Sequence, residues 1–234
     1  GRGRVPAGRG GPADVFVDGG TGAALTVDSS AVVAVKGLTL TGYANTSVDG
    51  AAIDCSSSTV DVQDVIFTGS ENGYYGSCVY LNGCDATIED AAFEYNEVRF
   101  LLYAQSGGSL HVQHVVGHDN EMPAAAAGGK LLGIGSTDAE VHNTLFFDNE
   151  LDVASEGLFT LSSSTTSVWV YNNTIADNVH TGGSGHGAYL SYSGVDFVNN
   201  IVVDNTGVGY GVYEYSGPTV EYNDSYGHSG NYYC

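Results

Sequence analysis

The sequence predicts an all-β chain, a single-stranded right-handed parallel β-helix of about seven to nine coils with almost no α-helix. Three observations predict it. An eight-residue window recurs at spacings of 24 to 29 residues. Inside each window apolar and polar residues alternate with a period of two, and no period of 3.6 is sustained anywhere. Glycine is abundant at 34 residues while proline occurs only 4 times, which suits many short strands joined by turns that need positive φ. Residues 13–234 are assigned to this solenoid, and residues 1–12 to a flexible Gly/Arg-rich segment holding Arg2, Arg4 and Arg9.

The windows share an apolar anchor at their third residue: Val35, Val62, Ile88, Val112, Val141, Val170 and Phe197. Around these anchors, Val60 and Val62 alternate with Asp61 and Gln63, the pattern of a strand with one buried face. A shortened last copy runs from Val220 to Tyr226. A second strand per coil starts on small or apolar residues, as in Gly50-Ala51-Ala52-Ile53 and Phe100-Leu101-Leu102-Tyr103. The longest connection, 121–130, reads as a loop leaving the solenoid.

Two polar columns accompany the anchors. Asp64, Asp90, His114, Asn143, Asn172, Asn199 and Asn223 form the first. Asn96, Asn120, Asn149, Asn178 and Asn205 form the second, eight residues after their anchors. In stacked coils such columns repeat every ~4.8 Å, where Asn tolerates the left-handed region and amides bond from coil to coil. Asn96, Asn120, Asn149, Asn178, Asn205, Asn143, Asn172 and Asn199 are therefore assigned a structural ladder role.

Charge narrows the partners. The 27 acidic residues against 6 basic ones give a net charge of −21, which repels nucleic acid and anionic membranes. No apolar run is long enough to span a bilayer. Asp119, Asp148, Asp177 and Asp204 each precede a ladder Asn and would stack into a row of carboxylates, a candidate calcium row. Calcium is the only cofactor the sequence suggests. His111, His114, His118 and His142 also cluster, although strand alternation is expected to send His111 and His114 to opposite faces.

Of four cysteines, Cys55 and Cys84 precede consecutive windows and are expected to bridge, with Cys78 as the competing partner of Cys55. Disulfide use suits an extracellular or cell-surface location. Cys234 is too many coils away to join them and is a candidate for intermolecular pairing. The open ends of a β-helix carry unpaired backbone groups, which allows head-to-tail stacking into a homopolymer.

The coil pattern resembles the pectin-lyase-like superfamily of right-handed parallel β-helices. The pairing of Gly-Ala-Ala-Ile strands with the turns Phe93-Glu94-Tyr95-Asn96 and Phe146-Phe147-Asp148-Asn149 is similar to polymorphic outer-membrane proteins; Ile175 and Val202 replace Phe in two later copies. The resemblance implies a fold that hosts lyases, hydrolases, adhesins and phage spikes. Its hydrolases resemble one another in an Asp-Asp pair, a Gly-His-Gly and an Arg-x-Lys motif. This chain has Gly185-His186-Gly187, expected to be a histidine in a glycine-rich turn, but no Asp-Asp pair and no Arg or Lys after Lys130. Its lyases need a basic residue beside calcium; Arg99 is expected instead to pair with Glu94 or Glu97. These readings favour a non-enzymatic cell-surface or extracellular protein with a structural, adhesive or filament-forming role. Its Tyr-rich surface would meet a glycan or protein ligand. The alternative is a carbohydrate-active enzyme or glycan-binding module acting on a neutral polysaccharide.

Overall fold

A computed structural model describes residues 15–18, 23–43, 50–123, 129–152, 157–162, 166–181 and 185–233. Residues 1–12, Cys234 and much of the 121–130 connection lie outside the described residues, and so do the expectations placed on them. Every strand pairing among the described residues is parallel, and none of these residues is helical.

The anchors stack as the spacing implies. Val35 pairs with Val62, Val62 with Ile88, Ile88 with Val112, and Val112 with Val141. Val141 then pairs with Val170, Val170 with Phe197, and Phe197 with Val220. These strands form the front face. Short strands such as Ala92–Glu94 and Leu145–Phe147 form the side face, continuous with the front in one 15-stranded sheet. Strands such as Glu97–Gln105 and Gly185–Ser191 form the back face in a separate 12-stranded sheet. The front strand recurs in eight stacked coils, from Val32–Thr41 to Thr219–Glu221, within the seven to nine read from the spacing.

The bends have a local cause. Between front and side faces each coil places one residue at positive φ: Gly37, Asp64, Asp90, His114, Asn143, Asn172, Asn199 and Tyr222. Between side and back faces the residues so held are Gly42, Gly69, Tyr95, Asp119, Asp148, Asp177, Asp204 and Gly227. Gly, Asn and Asp tolerate this region best, which explains their recurrence there. One such residue per corner turns the strand without ending its register.

The lumen is apolar. Val62, Ile88, Val141, Val170 and Phe197 are fully buried on the front, facing Leu102, Leu132 and Phe159 from the back. Phe67 stacks on Phe93 at 4.6 Å between coils. Burying each such side chain contributes about 1.5–3 kcal/mol. The Cys55–Cys84 disulfide also lies in the lumen, spanning 6.4 Å between Cα atoms. Cys78 is a buried free thiol beside Ser70, and burial pushes its pKa up to about 12.

Two buried ladders run along the axis. In the first, Asn96, Asn120, Asn149, Asn178 and Asn205 pass an Nδ2 to Oδ1 hydrogen bond from coil to coil at 2.8 Å. In the second, Asn173, Asn200 and Asn223 do the same at 3.0 Å, with Thr144 donating its hydroxyl to Asn173. The second ladder therefore lies one residue beyond the column Asn143, Asn172 and Asn199. A residue at positive φ points its side chain to solvent, and the next residue points in. Asn199 does donate to Asn172 at 2.5 Å, but on the exposed surface. Asn223 belongs to the inner ladder, and Tyr222 takes the turn position.

Candidate functional site

The front face presents two outward columns. One contains Thr87, His111, Glu140 and Trp169, and the next contains Glu89, Gln113, His142 and Tyr171. Val112 and Val141 are lumen-facing partners, so their neighbours on either side must stand outward, beside one another. This brings His111 next to Glu140 and places His142 two residues along the same strand.

The resulting network is dense. His111 Nδ1 lies 3.4 Å from Glu140 Oε2, and its Nε2 lies 3.8 Å from Glu89 Oε1. The Tyr171 hydroxyl donates a short hydrogen bond to Glu140. His142 stacks on the Tyr171 ring at 4.8 Å and meets the His111 ring edge-on at 5.2 Å. Asn143 Nδ2 lies 2.9 Å from His142 Nδ1. Gln113 donates to Glu89 at 2.6 Å. Charge regulation follows from this geometry. The Tyr171 hydrogen bond holds the Glu140 carboxyl below the usual carboxylate range, while Glu140 pushes Tyr171 up to about 12. Partial burial lowers the pKa of His142.

Beside this network lies a shallow cavity of about 360 Å³, lined in part by Thr59, Thr87, Ser109, His111, Glu140 and Trp169. Trp169, the single tryptophan of the chain, is 54% exposed at its rim. Two carboxylates near the cavity serve the fold: Asp85 accepts from the backbone and hydroxyl of Ser109, and Asp138 accepts from the backbone N–H of Ser167.

The other sequence-derived candidates fall elsewhere. Asp119, Asp148, Asp177 and Asp204 are exposed at the corner between side and back faces. Their recurrence is accounted for by the positive φ they adopt. Among the described residues, the group whose ligand atoms converge within 4.8 Å of one another is His111, Glu140 and His142, and no three of the aspartates join such a group. His114 and His111 both stand outside the lumen, because His114 occupies a corner rather than continuing the strand alternation. His118 bridges Glu94 and Asp119 on the side face. Arg99 stacks on Phe100, its guanidinium 4.7 Å from the ring centre, in place of the expected pair with Glu94 or Glu97. Gly185-His186-Gly187 is strand rather than turn: a side chain at 185 would strike the His180 ring at 2.2 Å, and His186 stacks on Tyr213.

Glu140, Trp169 and Tyr171 do not stand out as site residues in the sequence alone. The signal was present in the anchor column: once Val112, Val141 and Val170 are aligned, the residues flanking each anchor form outward rows. No curated protein and no solved structure matches the chain. The model of the family described as "Right handed beta helix region" matches residues 17–231. With nearly the whole chain matched, and with parallel coils stacked on one apolar lumen, the protein belongs to the right-handed β-helix family.

Proposed function

We propose that the chain is a non-enzymatic extracellular adhesive β-helix whose front face contacts a neutral glycan. The observation that carries this reading is Trp169, half exposed at the rim of a cavity bordered by the hydroxyls of Thr59, Thr87 and Ser109. A flat aromatic ring suits the apolar face of a sugar, and flanking hydroxyls and imidazole suit its edges. The net charge of −21 disfavours anionic polysaccharides. Asp85 and Asp138 hold the backbone of the following coil, and Glu140 is bound by Tyr171. Asp85 and Asp138 are thus committed to structure and one Glu140 oxygen to Tyr171, which argues against paired acid–base chemistry.

Titrating the intrinsic fluorescence with neutral oligosaccharides tests this directly, because Trp169 is the only tryptophan. A saturable shift is expected for at least one β-linked oligosaccharide. Trp169→Ala should abolish retention on the matching polysaccharide while leaving the circular dichroism unchanged. Release of shortened sugars during incubation would replace adhesion with catalysis.

Head-to-tail assembly is a second reading. In the last described coil, Tyr222, Tyr226 and Tyr232 are 83%, 49% and 41% exposed. Sedimentation velocity over a concentration series distinguishes the readings: assembly makes the sedimentation coefficient rise with concentration, and simple adhesion does not.

A further inference from the structure

We infer that His111, His142 and Glu140 form a binding site for a divalent transition metal of the zinc class on the front face. Glu140 and His142 stand two residues apart on one strand, and His111 stands opposite Glu140 on the preceding coil. Their ligand atoms all lie within 4.8 Å of one another. Donors around tetrahedral zinc are roughly 3.4 Å apart, given bond lengths of about 2.0–2.1 Å. The His111 Nδ1 to Glu140 Oε2 separation is already 3.4 Å. The remaining contraction needs only side-chain rotation, since all three residues are partly exposed. Two imidazoles and one carboxylate are a donor set that suits zinc, with the fourth position left open.

The second argument is that each ligand has its own outer partner, as metal ligands require. When His111 binds through Nδ1, its Nε2–H points towards Glu89, now 3.8 Å away. When His142 binds through Nε2, its proton sits on Nδ1, and the Asn143 amide 2.9 Å away accepts it once turned to present Oδ1. Tyr171 holds Glu140 Oε1 and leaves Oε2 facing His111. A surface ion-pair cluster does not require this complete set of orienting partners, and the site stands independently of the glycan reading.

The test is isothermal titration of the purified full chain with zinc chloride, with cobalt(II) absorption as a spectroscopic check. Saturable binding of about one zinc per chain is expected, and cobalt should give the intense visible bands of a four-coordinate N/O site. His111→Ala and His142→Ala should each weaken zinc binding by at least about 100-fold. Loss of an outer partner, in Asn143→Ala or Tyr171→Phe, should weaken it by about 10- to 100-fold. His118→Ala, on the side face, should leave binding unchanged. Unaltered circular dichroism in the alanine variants excludes misfolding as the cause. Absence of saturable binding, or binding that survives His142→Ala, or binding lost in His118→Ala, overturns the assignment.

Discussion

Replacing Asn149 with alanine tests the inner ladder at its centre. Asn149 is 1% exposed. Its Nδ2 donates to Asn178 Oδ1 at 2.8 Å, to Gly117 O at 3.0 Å and to Phe147 O at 2.9 Å. Its Oδ1 accepts from the backbone and the side chain of Asn120 at 3.1 and 2.8 Å. Alanine removes all of these and leaves the buried Asn120 backbone N–H with no acceptor, while Asn120 Nδ2 keeps Phe93 O and His118 O at 2.9 Å. Lost neutral hydrogen bonds cost about 0.5–1.5 kcal/mol each, and an orphaned buried group costs about 1–3 kcal/mol. Allowing for water entering the gap, the loss should be about 3–5 kcal/mol. For a chain of this size that lowers the melting temperature by roughly 6–20 °C. The control is Asn172→Gly, which removes an exposed amide from a residue at φ 59° and should cost under about 1 kcal/mol. Thermal and urea unfolding followed by circular dichroism measures both. Equal losses in the two variants, or a loss under about 1 kcal/mol for Asn149→Ala, would refute the claim that burial rather than mere repetition gives the ladder its weight.

Four further outcomes follow from the same structure. Burial lowers the pKa of His180, of His186 (with a smaller repulsion from His180) and of His228, with Asp152 and Asp204 only partly opposing the shift at His180 and His228. Their folded values lie below the unfolded value of about 6.5, so the unfolded chain binds more protons below that pH. Stability should be full above pH ~6.5 and fall on acidification through it, and His180→Phe should flatten the slope of melting temperature against pH over that interval. In the oxidised native protein, Cys78 should resist iodoacetamide because its thiol is buried and its pKa is pushed up to about 12, and mass spectrometry should find it modified only after unfolding. Reducing Cys55–Cys84 should cost about 2–4 kcal/mol in the same melts. Gly108→Ala should destabilise by at least about 2 kcal/mol, because its Cβ would lie 2.1 Å from Cys84 O at φ +76°; Gly107→Ala, at φ +93° with open space around it, should cost clearly less.

How much was legible in the sequence varied with the kind of feature. The apolar anchors, the Asn96–Asn205 column and the proximity of Cys55 and Cys84 follow from a repeat that places equivalent residues one above another. They are readable because spacing along the chain maps directly onto position along the axis. The column Asn143, Asn172 and Asn199 misses the second inner ladder by one residue. Asn143 and Thr144 are adjacent in sequence, and their repeats, Asn172 with Asn173 and Asn199 with Asn200, are indistinguishable by type.

The sequence by itself determined the parallel β-helix, its apolar lumen and its recurrent turn residues, because each depends on local alternation and on stacking of like on like. The tertiary structure alone decided which of two neighbouring asparagines turns inward, since a single positive φ reverses the direction of the side chain that follows. It also decided that His111, Glu140, His142, Tyr171 and Trp169 share one exposed face. Residues from coils 24 to 29 positions apart meet there only when the register is fixed, and that register depends on turns whose lengths vary from coil to coil.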